Sequence, residues 1–195
     1  MITDRPELVI FIAANQNPVI MKYFFALMLL VAIGCRQPSL NQEKINYEGE
    51  KILVGEINWE GLTQEPYKVW FSDGYLNYQP DTITLQSLQP GALDGVEAVM
   101  YMGTWCTDSQ EQVPQIYKIL DYLHFDLDKL RVYALERTAE QPLVLSAEQQ
   151  EKYKITLVPT LIFYRHGKEL GRITERPVAT LEQDMVNILN KSVSE

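Results

Sequence analysis

From Lys51 onward, short apolar runs alternate with stretches of helical period. Lys51 to Ile57, carrying Ile52, Leu53, Val54 and Ile57, is strand-like. Val96 to Met102 is apolar except for Glu97 and stops at Gly103, the pattern of a strand buried on both faces. Helical spacing follows: Val113, Ile116, Tyr117, Leu120 and Leu123 share one face and predict a helix from Trp105 to about Leu123. Leu130 to Leu135 reads as a strand, Ser146 to Lys154 as a short helix, and Thr160 to Tyr164 and Glu169 to Ile173 as two more strands. Arg165-His166-Gly167-Lys168 is short enough to join those two as a hairpin. A last helix, Thr180 to Leu189, offers Leu181, Met185, Ile188 and Leu189 for burial. Strand, helix and strand followed by a hairpin and a helix predict an α/β fold, a central mixed sheet flanked by helices.

The chain before this alternation has a different texture. Pro66 to Tyr78 holds Tyr67, Val69, Trp70, Phe71, Tyr75 and Tyr78, too apolar to be left in water. Leu62 to Leu88 is read as an irregular or partly helical layer, with core packing favoured over a ligand groove. Residues 49–91 are thus expected to form an aromatic-rich N-terminal extension packed on a domain spanning residues 92–195. Residues 36–48 are polar and aperiodic, with Pro38 and Ser39, and read as a flexible tether. Fully extended, it reaches on the order of 40 Å.

Met21 to Cys35 resembles a bacterial lipoprotein signal. Lys22 gives the positive start, Tyr23 to Ile33 is an unbroken apolar run, and Val31-Ala32-Ile33-Gly34-Cys35 resembles a lipobox. The run is shorter than the roughly 20 residues a membrane-spanning helix needs. The resemblance implies lipid attachment at Cys35, which becomes the first mature residue. Asp4 and Glu7 would give such a signal an acidic start, so translation is expected to begin at Met21, with residues 1–20 an upstream segment.

The net charge of −9 and the lack of a basic run argue against nucleic acid as a partner. The two histidines, His124 and His166, stand in no metal-ligand spacing, so neither metal nor cofactor is expected. If Cys35 is acylated, Cys106 is left as the one working thiol.

Cys106 lies at the junction of strand and helix. Free N–H groups and the helix dipole at that end favour an anion, and the thiolate is the reactive form of cysteine. Asp108, in the first turn, opposes a thiolate by roughly 0.5–2 kcal/mol, comparable with the ~0.3–1 kcal/mol of the helix end. The sequence leaves the balance open, and an inert, small apolar Cys106 stays as the alternative.

Four spaced features within Ala92 to Ser192 make the chain resemble the thioredoxin-like superfamily. Trp105-Cys106-Thr107-Asp108-Ser109 stands where that family has Trp-Cys-x-x-Cys, and Pro114 where its long helix carries a proline. Val158-Pro159-Thr160 matches its cis-proline, and Gly167 its hairpin glycine. The chain is similar to an exported bacterial subgroup with a Trp-Cys-x-Asp-Ser motif and an aromatic extension. The resemblance implies that the Val158 backbone faces Cys106, and that Val158, Pro159 and Thr160 receive an extended substrate. Two departures stand out: Ser109 replaces the second cysteine, and Met100 replaces the buried acid six residues before the first. Ser109 cannot resolve a mixed disulfide, although its hydroxyl can donate a hydrogen bond to a Cys106 thiolate.

The expected function is single-thiol exchange by Cys106, flanked by Trp105, Asp108 and Ser109, a chemistry that suits isomerisation or reduction of a cysteine adduct better than net reduction of disulfides. It would take place in the cell envelope, on disulfide- or thiol-containing proteins, with a lipid anchor in the membrane. The alternative is a redox-inactive thioredoxin-fold module that binds extended peptides or partner proteins.

Overall fold

The computed structural model describes residues 40–141 and 143–191. Its strands are β1 (Gln42–Ile45), β2 (Lys51–Ile57), β3 (Val96–Met102), β4 (Leu130–Ala134), β5 (Thr160–Arg165) and β6 (Lys168–Thr174). Its helices are α1 (Trp59–Leu62), α2 (Lys68–Asn77), α3 (Thr82–Leu85), α4 (Thr107–Tyr122), α5 (Ala147–Tyr153) and α6 (Leu181–Leu189). The strands form one mixed sheet in the order β1-β2-β4-β3-β5-β6. β3 runs parallel to β4 and antiparallel to β5, so the crossover through α4 joins parallel neighbours.

The apolar run of β3 is explained by its central place. Val96, Ala98, Met100 and Met102 face a core shared with Val113, Ile116, Ile119 and Leu120 of α4 and with Leu181, Met185 and Leu189 of α6. Val99 and Tyr101 face the other side, where Leu135, Tyr153, Ile155, Val158 and Ile162 pack. A period of two in one strand thus feeds two cores, and the one charged residue, Glu97, is exposed. His166 and Gly167 both take positive φ (51° and 76°), which makes the tight turn between β5 and β6.

The extension is helical and belongs to the first of these cores. Leu62, Tyr67, Phe71 and Leu85 are buried in it, and Trp59 meets the rings of Phe71, Tyr75 and Tyr117 edge-on at 4.8, 5.0 and 5.4 Å. Val69, expected to be buried, points to solvent. α2 crosses α4 where Gly74 meets Pro114: a Cβ on Gly74 would lie 2.6 Å from Pro114 Cγ.

Ordered structure also starts earlier than the polar texture suggests. Residues 42–45, read as tether, form β1 and pair with β2. All four are exposed, so no apolar alternation marks the strand in the sequence. Backbone pairing and ion pairs hold it instead: Lys44 to Glu136 and Lys51 to Glu43, each at 2.8 Å. Asn41 adds a tie, its Oδ1 accepting the Asn58 N–H at 2.9 Å. The upstream segment, the signal, Cys35 and residues 36–39 of the tether lie outside the described residues. Among those described, no helix is long and apolar enough to cross a membrane.

Candidate active site

At the end of β3 the chain turns through Gly103-Thr104-Trp105 into α4, with Cys106 at the N-cap. The turn closes with a bond from the Cys106 N–H to the Gly103 carbonyl at 3.0 Å. Thr104 is buried. Its Oγ1 accepts the Leu53 N–H of β2 at 3.1 Å, and its carbonyl accepts Gln110 Nε2 at 2.7 Å. Ser109, fully buried, accepts the Gly103 N–H on Oγ at 3.2 Å. The loop is therefore fixed by hydrogen bonds from both sides.

Cys106 is partly buried, and its side chain does not cap α4, which leaves the first-turn N–H groups of the helix without a capping side chain. Its Sγ donates instead to the Val158 carbonyl at 3.4 Å, across 52 positions of sequence. The Val158–Pro159 peptide is cis. The Pro159 carbonyl accepts the Glu175 N–H at 2.7 Å, which ties the cis-proline loop to the end of β6. Thr160 is buried and donates Oγ1 to the Leu157 carbonyl at 2.8 Å. Its side chain braces the loop from inside and does not face outward.

Trp105 is held at several points. Its Nε1 donates to the Leu135 carbonyl at 2.7 Å, and the guanidinium carbon of Arg137 lies 4.5 Å from its ring centroid. The ring also lies against Gly103, where a Cβ would come within 2.6 Å of Trp105 Cε2. Asp108 forms an ion pair with Arg176, Oδ1 to Nη2 at 2.7 Å. Arg176 is largely exposed, so the pair adds only about 0–1 kcal/mol of stability. Its effect is electrostatic, because it compensates the acid that the sequence sets against a thiolate.

Ser109 makes no hydrogen bond to Cys106 Sγ; its oxygen serves the loop backbone. Met100 is fully buried in the larger core, so an apolar side chain occupies the place of the family's acid. The sequence alone does not single out Arg137 and Arg176, and Glu48, the acid that bonds Arg137 at 2.6 Å, lies in the stretch that reads as tether. No local signal marks them, since each acts across a long separation, 89 positions for Glu48–Arg137 and 68 for Asp108–Arg176. Among the described residues no group of three or more His, Cys, Asp or Glu side chains is placed to hold a metal.

A half-buried cysteine at the start of a helix, facing a cis-proline loop at the end of a mixed sheet, is the arrangement that the sequence resemblance implies. The fold is thioredoxin-like. Comparison with solved structures finds similar chains. Trxlp from Edwardsiella tarda EIB202 is 19% identical over 58% of this chain and 96% of its own, with a TM-score of 0.33. Fasciola hepatica thioredoxin is 17% identical over 48% of this chain and 76% of its own, with a TM-score of 0.29. Mitochondrial thioredoxin 3 from Saccharomyces cerevisiae is 14% identical over 49% and 92%, also with a TM-score of 0.29. No protein-family model and no curated protein matches the chain. The strand order and the Cys106–Pro159 juxtaposition are the chain's own thioredoxin-like features.

Proposed function

We propose that this chain is a thioredoxin-like lipoprotein of the cell envelope that exchanges thiols and disulfides through one thiol, Cys106. The observation that carries the reading is the 3.4 Å approach of Cys106 Sγ to the Val158 carbonyl, beside cis Pro159. In the proposed reaction the Cys106 thiol loses its proton to water, and the thiolate attacks one sulfur of a substrate disulfide. The substrate S–S bond breaks, a Cys106–substrate disulfide forms, and the second substrate sulfur leaves as a thiolate that takes up a proton. A second thiol, from the substrate or from a thiol carrier, then attacks the substrate sulfur and releases Cys106. If that thiol is another cysteine of the substrate the result is isomerisation; if it comes from a carrier, a carrier–substrate disulfide forms, and a second carrier thiol attacks its carrier sulfur, leaving the carrier as a disulfide and the substrate as a dithiol. The backbone beside Pro159 supplies an edge for an extended substrate segment. Membrane attachment is assigned to acylated Cys35 on the strength of its lipobox-like context.

The test uses a protein with mispaired disulfides, together with glutathione as the second thiol. The expected result is a reducible mixed disulfide with the test protein, absent in Cys106→Ser, and faster recovery of native pairing. A Cys106 that neither reacts with a disulfide reagent near neutral pH nor captures the test protein sinks the reading. Peptide binding that survives Cys106→Ser unchanged then favours the redox-inactive module. Lipid attachment is checked by mass spectrometry of the native amino terminus.

A further inference from the structure

Arg137 links the turn between β1 and β2 to Trp105. Its Nη2 donates to Glu48 Oε2 at 2.6 Å, and its guanidinium carbon lies 5.7 Å from the Tyr47 ring centroid and 4.5 Å from that of Trp105. The turn carrying Glu48 is braced from within. Buried Asn46 accepts the N–H groups of Glu48 and Glu50 on its Oδ1, at 2.9 and 2.8 Å. Arg137 stands two residues after Leu135, whose carbonyl accepts the Trp105 indole N–H, so one loop after β4 holds the ring by its nitrogen and covers it with a cation. A guanidinium suits both tasks, since its edge bonds carboxylate while its face stacks on an aromatic ring.

We propose that Glu48 and Arg137 form a clamp that fixes Trp105 beside Cys106, which makes the β1–β2 hairpin a working part of the site. Arg137 acts through Trp105 and is a positioning residue. The consequence for exchange rests on the proposed role of Cys106; the position of Trp105 is read without it. At a partly exposed site, a cation over an indole shifts the population of the held ring by roughly two- to fivefold.

The experiment compares the full chain with Glu48→Gln, Arg137→Gln, Arg137→Lys and the Glu48→Gln/Arg137→Gln double variant. Acrylamide quenching of Trp105 is isolated by subtracting the signal of Trp105→Phe, and Cys106 alkylation is timed with neutral iodoacetamide. Both single glutamine variants are expected to raise Trp105 quenching and to change the alkylation rate in the same direction, by roughly two- to fivefold. The double variant is expected to match Arg137→Gln, because the two residues act as one unit. Arg137→Lys, which keeps a cation, should fall between the wild type and Arg137→Gln. Unchanged quenching in Arg137→Gln overturns the clamp, and so do independently additive effects of the two glutamine changes. A lowered melting temperature with unchanged Trp105 quenching reduces Arg137 to a structural role and also overturns it. If Cys106 proves inert toward disulfides while Glu48→Gln still frees Trp105, the clamp stands and the exchange reading falls.

Discussion

Gly103 shows how tightly the site is drawn at the level of single residues. The backbone needs no unusual torsion there; what it needs is space, because the Trp105 ring occupies the volume of a side chain. In Gly103→Ala the indole has to swing away, giving up its bond to the Leu135 carbonyl and its contact with Arg137. The expected cost is about 1–3 kcal/mol, the range for overpacking a filled site. It should be read as a lower urea midpoint together with a red-shifted Trp105 emission. An alanine variant with wild-type emission and midpoint means that the ring is not confined by Gly103. The residues that carry motif spacing were legible in the sequence: Cys106 and Trp105 at the strand–helix junction, and Pro159 before an apolar strand. Arg137, Arg176 and Glu48 were not, because their partners come together only when distant loops close in space.

Among the elements, legibility followed burial pattern. β3 and α4 were clear because each buries a regular set of positions, and α6 likewise. α2 was blurred because its apolar residues do not keep to one face: Phe71 is buried while Val69 and Leu76 are exposed. β1 was invisible because it buries nothing. The crossing of α2 over α4 sets two opposed effects against each other in Gly74→Ala. Alanine gains up to about 1 kcal/mol of helix propensity over glycine. Its Cβ, however, meets a rigid proline ring at 2.6 Å, and separating two packed helices costs about 1–3 kcal/mol. A net loss of stability is expected, measured by thermal or urea unfolding. A stabilised variant would show that propensity wins and that the crossing has slack.

On the scale of the whole molecule, extension and sheet are one body. Leu62, Tyr67, Phe71 and Leu85 share a core with α4 and α6. On the far side of the extension, Tyr78 donates its hydroxyl to buried Glu182 of α6 at 2.6 Å. The hairpin contact with the Trp105 loop carries a carboxyl that acid can disturb. The hydrogen bond from Arg137 holds the Glu48 carboxyl below the usual carboxylate range, aided by the Tyr47 hydroxyl. A folded pKa lowered in this way contributes stability that is present above the ordinary carboxylate range and is lost as pH falls through the folded value. Glu50 adds its charge to the same cluster. Acid titration is therefore expected to show a change in Trp105 emission below the ordinary carboxylate range, and Glu48→Gln should abolish it. The same transition in Glu48→Gln would assign it to another carboxyl group.

Ser109 Oγ, held by the Gly103 N–H, also fixes what separates this site from a dithiol one. That distance is a single atom, sulfur in place of oxygen. Sulfur is a weak acceptor, so a cysteine at 109 would loosen the bond that ties down the turn under Trp105. Rigidity of the loop and a resolving thiol compete for the same atomic position, and in this chain the position is given to rigidity.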